Sequence, residues 1–183
     1  MKAEPIRYLT EAEYLEGEKR SEVRHEYVDG IVYAMTGATR RHNDIIVSAT
    51  LQMAPAARAK RCRLNSESVK LRVGPARSYY YPDIVVSCAD EPDAYFISSP
   101  CAIIEVESRE TAGTDRREKR QAYLTLSSLR EYVIVSQDDI SAIVYRRTED
   151  GSGWIEEALA TGDLLHISCL ALDVPLDALF EVF

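Results

Sequence analysis

Apolar residues along the chain recur sometimes every second position and sometimes every three to four, and the switches between these periods mark out the elements. Thr10-Glu11-Ala12-Glu13 has the form of a capping box, which predicts a first helix running to about Lys19. Arg24 to Tyr27 and Ile31 to Met35 flank Asp29-Gly30, a strong signal for a tight hairpin. From Thr39 to about Ala59, Ile45, Ile46, Ala49, Met53 and Ala56 form a helical stripe, within which Pro55 predicts an early end or a kink. Cys62 to Leu64, Ser68 to Val73 and Tyr79 to Ser87 read as strands, the second setting Val69, Leu71 and Val73 against Ser68, Lys70 and Arg72. A polar loop from Asp90 to Pro100 leads to the strand Ile103-Ile104-Glu105-Val106-Glu107-Ser108. A helix from Thr114 to Ser127, capped by Thr114 and with Asp115 in its first turn, follows. Glu131–Val135 pairs with Ile140–Arg147, Trp154–Leu159 and Leu164–Ser168 are further strands, and Leu176–Phe180 is a terminal helix.

Charges inside apolar strands change this picture. Asp83 stands immediately before the β-branched run Ile84-Val85-Val86, near the mouth of a strand. Glu105 and Glu107 are two apart, so both leave one strand face while Ile104 and Val106 leave the other. A carboxylate there is costly unless it pairs with a cation or binds a metal. On the following helix Asp115, Lys119, Ala122 and Leu126 share a stripe, which turns Lys119 toward the sheet. The basic face of Lys70 and Arg72 makes Lys70 a second candidate for a site lysine. Glu26 lies in the first arm of the hairpin, three residues before Asp29, where four residues do not fix whether it faces core or solvent; one reading is a cross-strand partner of an arginine.

The order Tyr81-Pro82-Asp83, Glu105-Val106-Glu107-Ser108, Asp115-Arg116-Arg117-Glu118-Lys119 resembles the PD-(D/E)XK nuclease superfamily. With Arg24-His25-Glu26-Tyr27-Val28-Asp29-Gly30, Arg41-His42-Asn43 and Leu129-Arg130-Glu131-Tyr132-Val133, it resembles more narrowly the Uma-type family of restriction endonucleases. The resemblance implies an α/β fold with a restriction-endonuclease-like core, a central mixed sheet flanked by helices, plus an additional N-terminal helix and hairpin. It also implies a Mg²⁺- or Mn²⁺-dependent endonuclease acting on DNA. Asp83, Glu105 and the Val106 carbonyl would hold the metal, Lys119 would orient water or offset charge at phosphorus, and Glu26 and Glu107 would complete the catalytic cluster. The superfamily lysine belongs two residues after Glu105, where Glu107 stands, so Lys119 is its substitute. His42 is a candidate for contacting phosphate, against the alternative of a helix-start hydrogen bond to the neighbouring loop.

Composition tempers these expectations. The chain has 183 residues and ordinary globular proportions, which predicts one domain spanning 1–183. A net charge of −8 argues against a protein held on DNA by a general basic surface, and keeps open a catalytically inactive nucleic-acid-binding protein of the same fold. Arg58, Lys60, Arg61 and Arg63 form a local cluster that reads as a solvated face or a phosphate track. Tyr79-Tyr80-Tyr81 reads as core or as stacking surface for bases. A metal-independent hydrolase with paired carboxylates lacks the row of exposed aromatics that would mark a sugar platform. Cys62, Cys88, Cys101 and Cys169 show no paired spacing, so neither a zinc knuckle nor a redox pair is indicated, and Cys88 and Cys101, beside apolar strands, read as buried thiols. No signal-peptide or membrane-length apolar run is seen, which predicts a cytoplasmic protein. Exposed apolar positions in the last third make a homodimer the expected assembly.

Overall fold

The structure, a computed structural model, describes residues 8–75, 77–107 and 114–181. Among these, three α-helices and thirteen strands follow the order α1 (Glu11–Glu18), β1 (His25–Val28), β2 (Ile31–Ala34), α2 (Arg40–Lys60), β3 (Arg63–Ser66), β4 (Lys70–Val73), β5 (Ser78–Tyr80), β6 (Ile84–Ser87), β7 (Phe96–Ile97), β8 (Ala102–Glu107), α3 (Thr114–Tyr123), β9 (Glu131–Ser136), β10 (Ser141–Arg147), β11 (Trp154–Ala160), β12 (Leu164–Ile167) and β13 (Leu172–Pro175).

A six-stranded mixed sheet in the order β11-β10-β9-β8-β6-β3 is the centre; its β8–β9 pair is parallel and the others are antiparallel. The strict alternation of β8 fills both of its faces. Ile104 and Val106 join Ile45, Ile46, Ala49 and Met53 of α2, whereas Ile103 joins Ala122, Tyr123, Leu126 and Leu129 from α3 and the turn after it. Glu105 and Glu107 therefore leave on the α3 side. A second sheet, β2-β1-β5-β4-β7, carries the N-terminal hairpin and shares the α3-side core through Leu71, Val73 and Tyr80. Helix α1 begins with the expected capping box, in which Thr10 accepts from the Glu13 N–H and Glu13 accepts from the Thr10 N–H. At the hairpin tip, Asp29 and Gly30 both take positive φ, 43° and 99°, as the turn requires.

The expected strand Tyr79–Ser87 is two strands in two sheets. Pro82 has no N–H for a ladder, and at Tyr81-Pro82-Asp83 the chain leaves the five-stranded sheet and enters the six-stranded one. Pro55 does not end α2, which runs on to Lys60; Pro55 and Leu51, whose carbonyl loses its donor, are both on the solvent side. The third helix stops at Tyr123, short of Ser127, and the apolar stripe continues as turns that bury Leu126 and Leu129. The expected cap at Thr114 and the first-turn place of Asp115 lie outside the described side chains. Phe96-Ile97 pairs in parallel with β4, so the loop after β6 is not structureless. The cysteines are corrected too: Cys62 is bonded to Cys88 and Cys101 to Cys169, partners separated by 26 and 68 residues and so without a spacing signature. Among the described residues no helix is long and apolar enough to cross a membrane.

Candidate active site

The crossing between sheets leaves Asp83 where the two sheets meet. Four other elements bring polar groups to it. Strand β8 contributes Glu105, β1 of the second sheet contributes Glu26, α3 contributes Lys119, and the first turn of α2 contributes His42. The position of His42 is fixed locally: the Thr39 hydroxyl caps α2 by accepting the His42 N–H at 3.1 Å.

Both oxygens of Asp83 are engaged. Oδ2 accepts the backbone N–H of Val106 at 2.7 Å, and Oδ1 lies 3.3 Å from His42 Nε2. The Asp83 N–H in turn points to Glu105 Oε2 at 3.4 Å, while Glu105 Oε1 accepts the Tyr123 hydroxyl at 2.9 Å. Lys119 Nζ lies 2.8 Å from Glu26 Oε1, and that oxygen also faces the Tyr81 N–H at 3.4 Å.

The electrostatics follow from crowding acids in a dry place. Burial pushes the Glu105 carboxyl up to about 8; Lys119 pulls it down, while Asp83 and Glu26 push it further up. The hydrogen bond to Asp83 raises the His42 pKa against the opposing effect of burial, and the Asp83 and Glu67 charges and the Val106 carbonyl reinforce the rise. Burial and the neighbouring Glu105 raise the Tyr123 hydroxyl well above its ordinary value, so it stays a donor.

The structure thus sets the Asp83–Glu105–Val106 contacts and the Glu26–Lys119 pair side by side, coupled through the Glu105 charge. Glu107 is half-buried one pleat farther along the same face of β8. Lys70 is elsewhere: its Nζ stands 5.3 Å from the centre of the Tyr81 ring, and the carboxylates acting on it are Glu18 and Asp93. The tyrosine run is core, with Tyr79, Tyr80 and Tyr81 all buried, and offers no stacking surface. Arg58, Lys60, Arg61 and Arg63 are exposed around the far end of α2 from His42.

Sequence reasoning missed Glu67 and Tyr123. Glu67 sits in the β3–β4 turn at φ 48°, its N–H donating to the Asp83 carbonyl at 3.2 Å, and a non-glycine residue of positive φ leaves no mark in the sequence. Tyr123 falls four residues after Lys119, a helical spacing that could have suggested a shared face.

The donor set suits a hard divalent cation. Asp83, Glu105 and the Val106 carbonyl offer only oxygen, and a Glu105 carboxyl held near 8 by burial and by the acids around it is one whose ionised form a bound cation would stabilise. His42, Glu67 and Asp83 each present one ligand atom within 4.8 Å of the others, a second set that shares Asp83.

The mixed sheet, with an aspartate at its mouth, a glutamate on the neighbouring strand and a lysine on the next helix, has a fold already seen in a solved structure. The crystal structure of "a putative nuclease belonging to DUF820" from Anabaena variabilis superposes with a TM-score of 0.76 at 19% identity, covering 94% of this chain and 97% of that one. The model of the Uma2 family, described as "Putative restriction endonuclease", matches residues 11–177, and the chain belongs to that family. Two uncharacterized proteins of Synechocystis sp. are similar along almost their full length. The protein slr1290 is 29% identical over 97% of this chain and 94% of its own, and sll1609 is 25% identical over 90% and 95%.

Proposed function

We propose that this chain is a Mg²⁺- or Mn²⁺-dependent endonuclease that hydrolyses DNA phosphodiester bonds. The observation that carries the reading is the convergence of Asp83, Glu105 and Lys119 from three separate elements into one half-buried acidic cluster. Asp83, Glu105 and the Val106 carbonyl would hold the ion, with Glu26 and Glu107 completing the acidic set. When bound, the ion supplies Lewis-acid polarisation of a phosphoryl oxygen and a water of lowered pKa. Lys119, held against Glu26, would orient an attacking water and offset the charge that develops at phosphorus. Tyr123 fixes one oxygen of Glu105 so that the other faces Asp83, and His42 fixes the rotamer of Asp83. Cutting both strands calls for two copies of the site, and the exposed Ile155 and Leu164 are the apolar surface the last third offers a homodimer.

The test is cleavage of plasmid and oligonucleotide DNA in Mg²⁺ or Mn²⁺ by the wild type, Asp83→Ala and Lys119→Ala. Loss of cutting in both variants supports the roles given. An active Asp83→Ala protein overturns them. Tight DNA binding with no turnover in either metal supports instead the inactive nucleic-acid-binding reading, which Glu107 in the place of the usual lysine favours.

A further inference from the structure

All four cysteines of the chain meet at the end of the central sheet opposite the carboxylates. Cys88 follows the last residue of β6, the strand that Asp83 opens, and Cys101 precedes the first residue of β8, the strand that carries Glu105. Cys62 comes from the turn that ends α2, and Cys169 from the 3₁₀ turn Ser168–Leu170 after β12. The two disulfides are side by side, with Cys88 Sγ and Cys101 Sγ 3.6 Å apart, and the sulfurs of Cys88, Cys101 and Cys169 all lie within 4.8 Å of one another.

Two independent crosslinks have no reason to touch. Four thiolates around one tetrahedral Zn²⁺, each about 2.3 Å from the metal, stand about 3.8 Å from one another. Across the two disulfides, Cys88 Sγ and Cys101 Sγ stand 3.6 Å apart, close to that spacing. Soft sulfur ligands select Zn²⁺ over the hard ions that suit the oxygen cluster at the other end. A tetrathiolate site carries two net negative charges, and the sequence sets Lys60, Arg61 and Arg63, all exposed, around Cys62.

We propose that Cys62, Cys88, Cys101 and Cys169 in their reduced form are a tetrahedral zinc site that ties the end of α2, strands β6 and β8, and the 3₁₀ turn together, and that the paired disulfides are its oxidised, metal-free form. The interconversion balances with a dithiol as reductant. Two dithiol molecules each give two electrons and two protons to one disulfide and close to cyclic disulfides, leaving four protein thiols. Each thiol then loses its proton as Zn²⁺ binds.

The full chain is reduced with excess dithiol, freed of reductant without oxygen, and titrated with Zn²⁺ and separately with Co²⁺. About one Zn²⁺ per chain by native mass spectrometry is expected, together with four cysteines that resist alkylation until a chelator is added. The Co²⁺ form should show intense sulfur-to-metal charge transfer and tetrahedral ligand-field bands, and an ion held at Asp83 by oxygen shows neither. Cys88→Ser should lose most of the charge-transfer intensity, and Cys169→Ser serves in its place if the first variant does not fold. A reduced, folded protein with no thiolate–Co²⁺ absorption overturns the proposal, as does a reduced protein that regains its structure only on reoxidation and never with zinc.

Discussion

His42 Nε2 and Asp83 Oδ1 are 3.3 Å apart, with both side chains about 15% exposed, and the same imidazole faces the Val106 carbonyl. One ring therefore touches two of the three oxygen groups proposed to hold the metal. The pair is a built-in gauge of what happens at Asp83.

Neutralising Asp83 removes the main cause of the raised His42 pKa, so Mg²⁺ binding or Asp83→Asn should move that pKa down toward the ordinary value near 6.5. Titration of the His42 ring resonances by NMR, with and without Mg²⁺, measures the shift. An unmoved pKa in saturating Mg²⁺ would place the ion away from Asp83.

Lys119 and Lys70 differ in surroundings, and activity should tell them apart. Lys119→Ala removes the cation beside Glu26 and Glu105 and should reduce cleavage by roughly 10²–10³-fold, as deletion of one transition-state donor does. Lys70→Ala should cut at close to the wild-type rate, because its neighbour is the Tyr81 ring and not the acidic cluster. Single-turnover rates on one oligonucleotide compare them.

Tyr123→Phe deletes the hydrogen bond that favours ionised Glu105 and leaves a buried carboxyl oxygen without its donor. A stability loss of about 1–3 kcal/mol is expected by denaturant unfolding. The Glu105 carboxyl, already up near 8, should rise further, so the variant should bind Mn²⁺ poorly at neutral pH and recover as pH is raised. Calorimetric titration of Mn²⁺ at several pH values reads this directly, and equal affinity across the range in both proteins would count against Glu105 as a ligand.

Glu131 tests the same electrostatics far from the cluster. It is buried at the start of β9, 3.5 Å from Arg146, and burial outweighs its neighbours to raise its pKa above 4.5. The folded state therefore holds this proton more tightly than the unfolded chain does, and the group's contribution to stability falls as pH rises above 4.5. Glu131→Gln should flatten the decline of Tm between that pH and neutrality. A variant whose Tm tracks the wild type at every pH would show that Arg146 fully offsets the carboxylate.

Much of the fold could be read from short-range pattern. The Thr10 capping box, the Asp29-Gly30 turn and the alternation around Glu105 are local signals, and each produced the element it predicts. Strand membership is not local: Tyr79–Ser87 reads as one apolar run, and only the missing N–H of Pro82 hints that it serves two sheets. The site divides in the same way. Asp83 and Glu105 are marked by charge beside or within apolar strands and Lys119 by its helical stripe with Ala122 and Leu126, whereas the His42–Asp83 contact depends on where α2 crosses the sheet, and the Cys101–Cys169 contact joins residues separated by 68 positions.

The crossing at Tyr81-Pro82-Asp83 makes the geometry of the cluster a property of two bodies. Glu26 rides on one sheet, with Lys119 of α3 held against it, while Glu105 rides on the other, with Asp83 at the seam. A small change in the angle between the sheets changes the distances from Glu26 to Glu105 and Asp83 together. Tyr80 and Leu71, packed in the core that the two sheets share, are thus positions from which substitutions would alter the cluster remotely.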